Sequence, residues 1–427
     1  KTTCVAMPTV MSLVGDTGSA IFINDVKSGE IAAQIAPLCE MYGRRFGIVD
    51  EFHERPELAR YRISLNPFGD LAQMPEHRWA TRPYRIENNS HALIEEPRDD
   101  AKNFYWRESP RSQFLETGIN ILLDRMPRMA FPGGLHALLS DPQSWKSALE
   151  IASEEGEDHL KAAANQTLEM QRHNPEHYAQ HLGAALTALK SFATAPLKDA
   201  GRSPTITHKE LIEDGWIVCF INPGYLTDRL GSFYALHFMA LLNEKLAGAK
   251  GRMELVLDEF CNAPLRDALN RVTIQRSYDV RSHFLAQSRQ DVVRRYGEKE
   301  AAILEENCTI KQWLKFSNFE EAERVSRAMG ERLIISRGLG VTSDRHSLSG
   351  NYSVVRHPIM TADELMRLPP DEQIIHIAGF GFIRCRKIRQ NQIAPYCHDL
   401  GDNPLEGTAI KPDPKVWLPT TERKDAA

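Results

Sequence analysis

The sequence predicts an α/β protein in which a mostly parallel sheet is interrupted by an all-α segment. Three observations carry this. Short apolar runs that read as buried strands occur at residues 20–24, 46–49, 216–221, 253–257 and 283–286, as expected of parallel strands covered on both faces. Helical periodicity lies between them, the pattern of crossover units. From about 135 to 196 no strand signal occurs, so a helical body is inserted into the sheet's sequence.

In chain order, Ala20-Ile21-Phe22-Ile23-Asn24 closes on Asp25, and a helical pattern over 29–42 leads to Phe46-Gly47-Ile48-Val49. Residues 103–126 read as one long helix with Phe104, Leu115, Ile119 and Leu122 on a common face. After Met129-Ala130-Phe131-Pro132-Gly133-Gly134 the character is wholly helical. Glu150, Glu154, Glu155, Glu157 and Asp158 make part of it acidic, a solvated face or a docking site for a basic partner. A helix over 231–246 follows the strand at 216–221, and further strand signals fall at 309–316 and 374–378. The Ser/Gly/Arg-rich stretch 334–355 reads as a loop or hairpin. The Pro-containing stretch after His398 reads as a tail lying loosely over the surface.

Composition excludes several classes. With 427 residues, 42% hydrophobic and 26% charged, the chain is globular rather than collagen-like or disordered, with room for two or three units. Fifty-two Lys and Arg against 57 Asp and Glu leave a net charge of −5, so nucleic acid would be met by local basic patches. Seven scattered cysteines without a C-x-x-C suit a reducing compartment better than a disulfide framework. No apolar run reaches 18 residues. The opening Lys1-Thr2-Thr3-Cys4 is unlike a leader and reads as the middle of a motif, so the chain is expected to continue upstream.

Lys1-Thr2-Thr3 fits the end of G-x-x-x-x-G-K-[ST], in which the Lys reaches the β- and γ-phosphates and the first hydroxyl ligates Mg²⁺. The tripeptide is common by chance and gains meaning only beside a second phosphate-and-metal element. Met253-Glu254-Leu255-Val256-Leu257-Asp258-Glu259 is such an element: an apolar strand ending in two acids. Asp258 would hold Mg²⁺ through its water shell, and Glu259 would orient and deprotonate the attacking water. The alternative is a strand ending in two solvated acids. Lys1, Thr2, Thr3 and Asp258 are thus the candidate nucleotide ligands, with Thr2 and Asp258 on the metal.

Gln287, closing the apolar strand before it, would sense the γ-phosphate at the ligand end of a parallel sheet, or merely cap the next helix. Arg276, Arg281, Arg289, Arg294 and Arg295 flank that strand. Arg276, just before it, is the candidate for an arginine acting in trans on a neighbour's phosphoryl group. His177 and His181, four apart after Pro175, with His173 preceding them, read as surface residues rather than a zinc site.

These residues resemble the type IV secretion coupling proteins of conjugation systems, the TraG/TraD-like ATPases. Lys1-Thr2-Thr3 followed by Met7-Pro8-Thr9 looks like the family's start. Asn24-Asp25-Val26-Lys27-Ser28-Gly29-Glu30 stands where the family has Asp-Pro-Lys-Gly-Glu, with Val26 in place of Pro and Ser28 additional. Asn66-Pro67-Phe68, Leu257-Asp258-Glu259-Phe260, Gln287-Ser288, Tyr296-Gly297, Asn307-Cys308, the stretch 320–330 and the segment 360–369 are similar too, in the same order.

The resemblance implies a RecA-like P-loop NTPase domain interrupted by an all-α domain. It places the first part at 1–131, the helical insertion at 132–200, the second part at 201–398 and the tail at 399–427. It further implies ATP and Mg²⁺ as cofactors and a homo-hexamer on the cytoplasmic face of the bacterial inner membrane, anchored upstream. Its partners would be a relaxase–DNA complex, single- or double-stranded DNA, secretion channel components and protein effectors. Two other readings stay open: a DNA-translocating motor of the partitioning class, and a non-hydrolysing docking scaffold.

Overall fold

The apolar runs become a five-stranded, wholly parallel sheet. Its strands are β1 (Ser19–Asp25), β2 (Phe46–Val49), β3 (Ile217–Ile221), β4 (Arg252–Asp258) and β5 (Val280–Leu285), in the order β2-β3-β1-β4-β5. In register, Asn24 lies beside Leu257 and Asp25 beside Ile221, while Asp258 lies beside Leu285, so the acidic strand ends fall at one edge. The computed structural model describes residues 2–96, 101–226, 229–262, 275–341, 348–408 and 410–419. Lys1 is outside the described residues.

Every residue of β1, β2 and β3 is buried because both faces are covered. On one face Ile21, Ile23, Ile217, Cys219 and Val256 pack with the helices Ala6–Val14 and Glu30–Met41. On the other, Phe220 meets Phe238 and His237 at ring distances of 5.1 and 5.4 Å, on the helix Gly231–Leu246. That helix is apolar nearly all round, the pattern of a buried helix. His237 on that helix faces His208, the first residue of the helix His208–Glu213, Nδ1 to Nε2 at 3.1 Å, both buried. Burial keeps both rings neutral and pushes His208 down to about 3.

Among the described residues no strand occurs between Val49 and Ile217. The helices Pro132–Ser140, Pro142–Glu155, Asp158–His173 and Pro175–Ala188 fill nearly all of residues 132–188 within that interval. The five acids from Glu150 to Asp158 are exposed.

The expected long helix over 103–126 is helical throughout but not regular. Pro110 supplies no backbone N–H, and Arg111–Glu116 widen into a π-turn around the buried Arg111, which pairs with Glu96 at 2.7 Å and Glu108 at 2.9 Å. Leu115, Ile119 and Leu122 are buried, but Phe104 is half exposed. His181 is also buried, not at the surface as its spacing suggested: its ring packs 5.2 Å from Trp106 and 5.1 Å from Tyr105.

Ala302–Arg389 forms a compact unit of its own, distinct from Thr2–Ala301 with Gln390–Ala427. It contains β6 (Ile310–Trp313), β7 (Glu331–Val341), β8 (Leu348–Pro358), β9 (Glu372–Ile377) and β10 (Gly381–Arg386). Strands β10-β9-β6 form an antiparallel sheet and β7-β8 a hairpin. Phe316, Ala322, Val325, Leu365 and Ile374 make its core. The strand signals at 309–316 and 374–378 therefore belong to an antiparallel sheet, not to the parallel one.

Among the described residues after His398 the chain is docked rather than loose. The Gly401 N–H donates to Gln34 O at 2.9 Å, Asn403 to Glu30 Oε1 at 3.3 Å, and Val416–Trp417 pairs with Ile393–Ala394. Buried Ile393 and Tyr396 supply the apolar anchor. None of the seven cysteines forms a disulfide. Among the described residues no helix is long and apolar enough to cross a membrane.

Candidate active site

Four stretches meet at the carboxyl edge of the parallel sheet. Thr2 opens a 3₁₀ turn, Thr2–Cys4, directly before the helix Ala6–Val14. Its hydroxyl donates to Asp258 Oδ2 at 3.4 Å across 256 residues of sequence, and both side chains are buried. Thr3 follows in that turn, half-buried, and makes no side-chain hydrogen bond among the described residues.

At the end of β4 the chain turns sharply. Glu259 has φ of 52°, a left-handed backbone rarely taken by a residue with a side chain, and the Asp258 carboxylate accepts the Glu259 N–H at 3.1 Å. The turn carries the Glu259 carboxylate to Gln287, whose amide donates to it at 3.3 Å. Gln287 does not cap the next helix. Ser288 does so, accepting the Asp291 N–H.

The arginines separate into two kinds. Arg281, Arg289, Arg294 and Arg295 each pair with a carboxylate, respectively Glu254, Glu298, Asp291 and Glu95. Arg276, exposed in the 3₁₀ turn before β5, has no carboxylate partner among the described residues.

Three further residues complete the edge, and residue-type reasoning missed all of them. Asp25 is buried at the end of β1, and its Oδ2 accepts the Ile31 and Ala32 N–H groups, each at 2.8 Å, so it caps the helix Glu30–Met41. Burial, with Asp258 and Glu30 close by, pushes its carboxyl up to about 7 despite those two donors. Lys27 donates to Thr2 Oγ1 at 2.7 Å and lies 3.5 Å from Glu30 Oε2. The signal was present, since all three lie in the stretch that resembles Asp-Pro-Lys-Gly-Glu. The additional residue, Ser28, adopts φ of 51°, and Gly29 follows at 80° where a Cβ would strike Arg55 Cγ at 2.7 Å. The insertion is thus absorbed in a left-handed turn that still presents Lys27 to the site.

This parallel sheet, with a hydroxyl, two adjacent acids and a glutamine at its carboxyl edge, has a RecA-like fold. Residues 252–370 match the family described as the TraM recognition site of TraD and TraG. Among solved structures the fold is similar to the bacterial conjugative coupling protein TrwBdeltaN70 in its unbound form. That match has a TM-score of 0.60 and 15% identity, over 87% of this chain and 78% of that one. Plasmid coupling protein TrwB in complex with ADP and Mg²⁺ matches at 0.59 and 16%, over 87% and 78%. VirB4 of Thermoanaerobacter pseudethanolicus matches at 0.50 and 15%, over 92% and 88%. No curated protein sequence matches the chain.

Proposed function

We propose that this chain is the ATPase part of a type IV secretion coupling protein, receiving relaxase–DNA complexes or protein effectors and driving their passage into the secretion channel. The observation that carries it is the convergence of Thr2, Asp258, Glu259 and Gln287 at one sheet edge. A hydroxyl and a carboxylate are hard oxygen ligands that suit Mg²⁺. Thr2 and Asp258 would hold the metal, and Lys1, Thr2 and Thr3 the phosphates of ATP. Mg²⁺ then supplies charge neutralisation to phosphoryl transfer.

Glu259 takes the proton of the attacking water, and the Gln287 amide fixes its carboxylate. Arg276, exposed and unpaired among the described residues, serves the nucleotide of a neighbouring copy in a hexameric ring. Residues 1–131 and 201–398 carry the nucleotide-binding domain, with Ala302–Arg389 as a compact unit of its own inside the second stretch, 132–200 the cargo-facing helical domain and 399–427 a tail. The ring works at the cytoplasmic face of the bacterial inner membrane, anchored upstream, and meets single- or double-stranded DNA.

The test is ATP hydrolysis by the full-length protein across a concentration series, with and without DNA. Wild-type specific activity should rise with concentration as rings form, and Arg276→Ala should flatten that rise. Glu259→Gln should abolish turnover while ATP still binds. Turnover near wild type in Glu259→Gln would refute the site.

A further inference from the structure

We propose that Lys27 competes with Mg²⁺ for the Thr2 hydroxyl and so sets how much metal the site requires. The proposal rests on the nucleotide-site reading above. Lys27 reaches Thr2 Oγ1 at 2.7 Å, and that hydroxyl in turn donates to Asp258 Oδ2 at 3.4 Å. The ammonium therefore sits on the oxygen that would ligate the metal. A divalent cation and an ammonium on one oxygen repel each other. Only one of them can hold Thr2 at a time.

The structure also provides the alternative berth. Glu30 Oε2 is 3.5 Å from Lys27 Nζ, on a side chain that is nearly buried, whereas the lysine side chain is 37% exposed and has room to turn. The Lys27 carbonyl accepts the Glu30 N–H at 3.3 Å, and the next residue is pinned. The Ser28 N–H donates to Asn222 O at 3.2 Å, Gly224 N–H to Ser28 Oγ at 3.2 Å, and Arg55 Nε to Ser28 O at 2.5 Å. Exchange between Thr2 and Glu30 thus needs side-chain rotation alone. With its tip on Thr2, the ammonium would offset phosphate charge when metal is scarce. With Thr2 on the metal, Lys27 would keep only its Glu30 partner.

Binding of a fluorescent ADP analogue to the full-length protein, measured across a Mg²⁺ series and in EDTA, separates this from a structural ion pair. Lys27→Met should lower the Mg²⁺ midpoint about fivefold and weaken metal-free binding by a similar factor. Lys27→Arg should retain the wild-type pattern. Glu30→Gln, which removes the alternative berth, should raise the Mg²⁺ midpoint, and this opposite shift keeps the idea testable if Lys27→Met folds poorly. An unmoved midpoint in both Lys27→Met and Glu30→Gln, with ADP still bound, overturns the competition and leaves the nucleotide reading standing. Wild-type protein that binds no ADP at any Mg²⁺ level overturns both.

Discussion

At the amino end of the parallel sheet, Arg44 donates to the carbonyls of Leu13, Val14, Asp16, Ser19 and Gly215 at 2.6–3.2 Å, and Arg252 ties Asp16 to Ser19. At the carboxyl end, Asp25, Asp258 and Glu259 crowd together beside Thr2, Lys27 and Gln287. The strands are the same, but the polar groups are used oppositely. The amino end spends its charge on fixed backbone oxygens, including the last carbonyls of the helix Ala6–Val14, and keeps none for a ligand. The carboxyl end holds a carboxyl at about 7 and two non-glycine residues in left-handed conformations. A left-handed residue also occurs at the amino end, Asp279 before β5 at φ of 57°, so it is the raised Asp25 carboxyl beside the strained turns that marks the carboxyl end as arranged for chemistry.

Separating the two ends experimentally should give effects of different kind as well as size. The largest is at the carboxyl end. Glu259→Gln should cut hydrolysis by about 100-fold or more, yet leave unfolding within about 0.5 kcal/mol of wild type in a urea titration. Next comes Arg44→Met, which strips partners from several buried carbonyls and should cost about 3 kcal/mol. The folded variant should still bind nucleotide with wild-type affinity, and loss of binding there would break the comparison.

A smaller effect sharpens it through pH. His208 and His237 stay neutral when folded, so below about pH 6.5 the unfolded chain takes up protons that the folded one refuses, and stability falls as pH drops. Asp25 and Asp70, raised to about 7 and about 6, act in the opposite sense, since the folded state holds their protons and loses stability as pH rises from about 4 towards 7. His237→Phe removes one histidine. Its stability relative to wild type should therefore improve by about 1.4 kcal/mol for each pH unit between 6.5 and 5. A difference between variant and wild type that is independent of pH would mean that His237 is charged in the fold.

Much of the sheet was legible because its strands are buried on both faces and so carry unbroken apolar runs. The acid pair was legible for the same reason, since Asp258 and Glu259 interrupt such a run abruptly. Gln287 was placed at a strand end, but its bond to Glu259 depends on β4 and β5 being neighbours, a tertiary fact. Lys27 and Asp25 escaped because nothing in their residue types separates a capping aspartate or a surface lysine from one aimed at a buried hydroxyl. The unit Ala302–Arg389 escaped because partly exposed strands such as β6 look alike in parallel and antiparallel sheets. The tail was misread for its prolines, while Ile393 and Tyr396 just before it hold the anchor.

The strand order has a consequence for the making of the protein. β1 lies between β3 and β4, and β2 pairs with β3, so neither of the first two strands has a strand partner until β3 is synthesised. About 190 residues separate the end of β1 from the start of β3. At about 5–20 residues per second that interval lasts on the order of 10–40 s. Throughout it, Ala20-Ile21-Phe22-Ile23 waits as an unpaired, wholly apolar edge, the kind of segment that recruits stray strands. The helices of the interval, whose contacts are local, form first and far faster. The nascent chain therefore carries a finished helical body beside an unfinished sheet, and it is the sheet that most needs a chaperone at the ribosome.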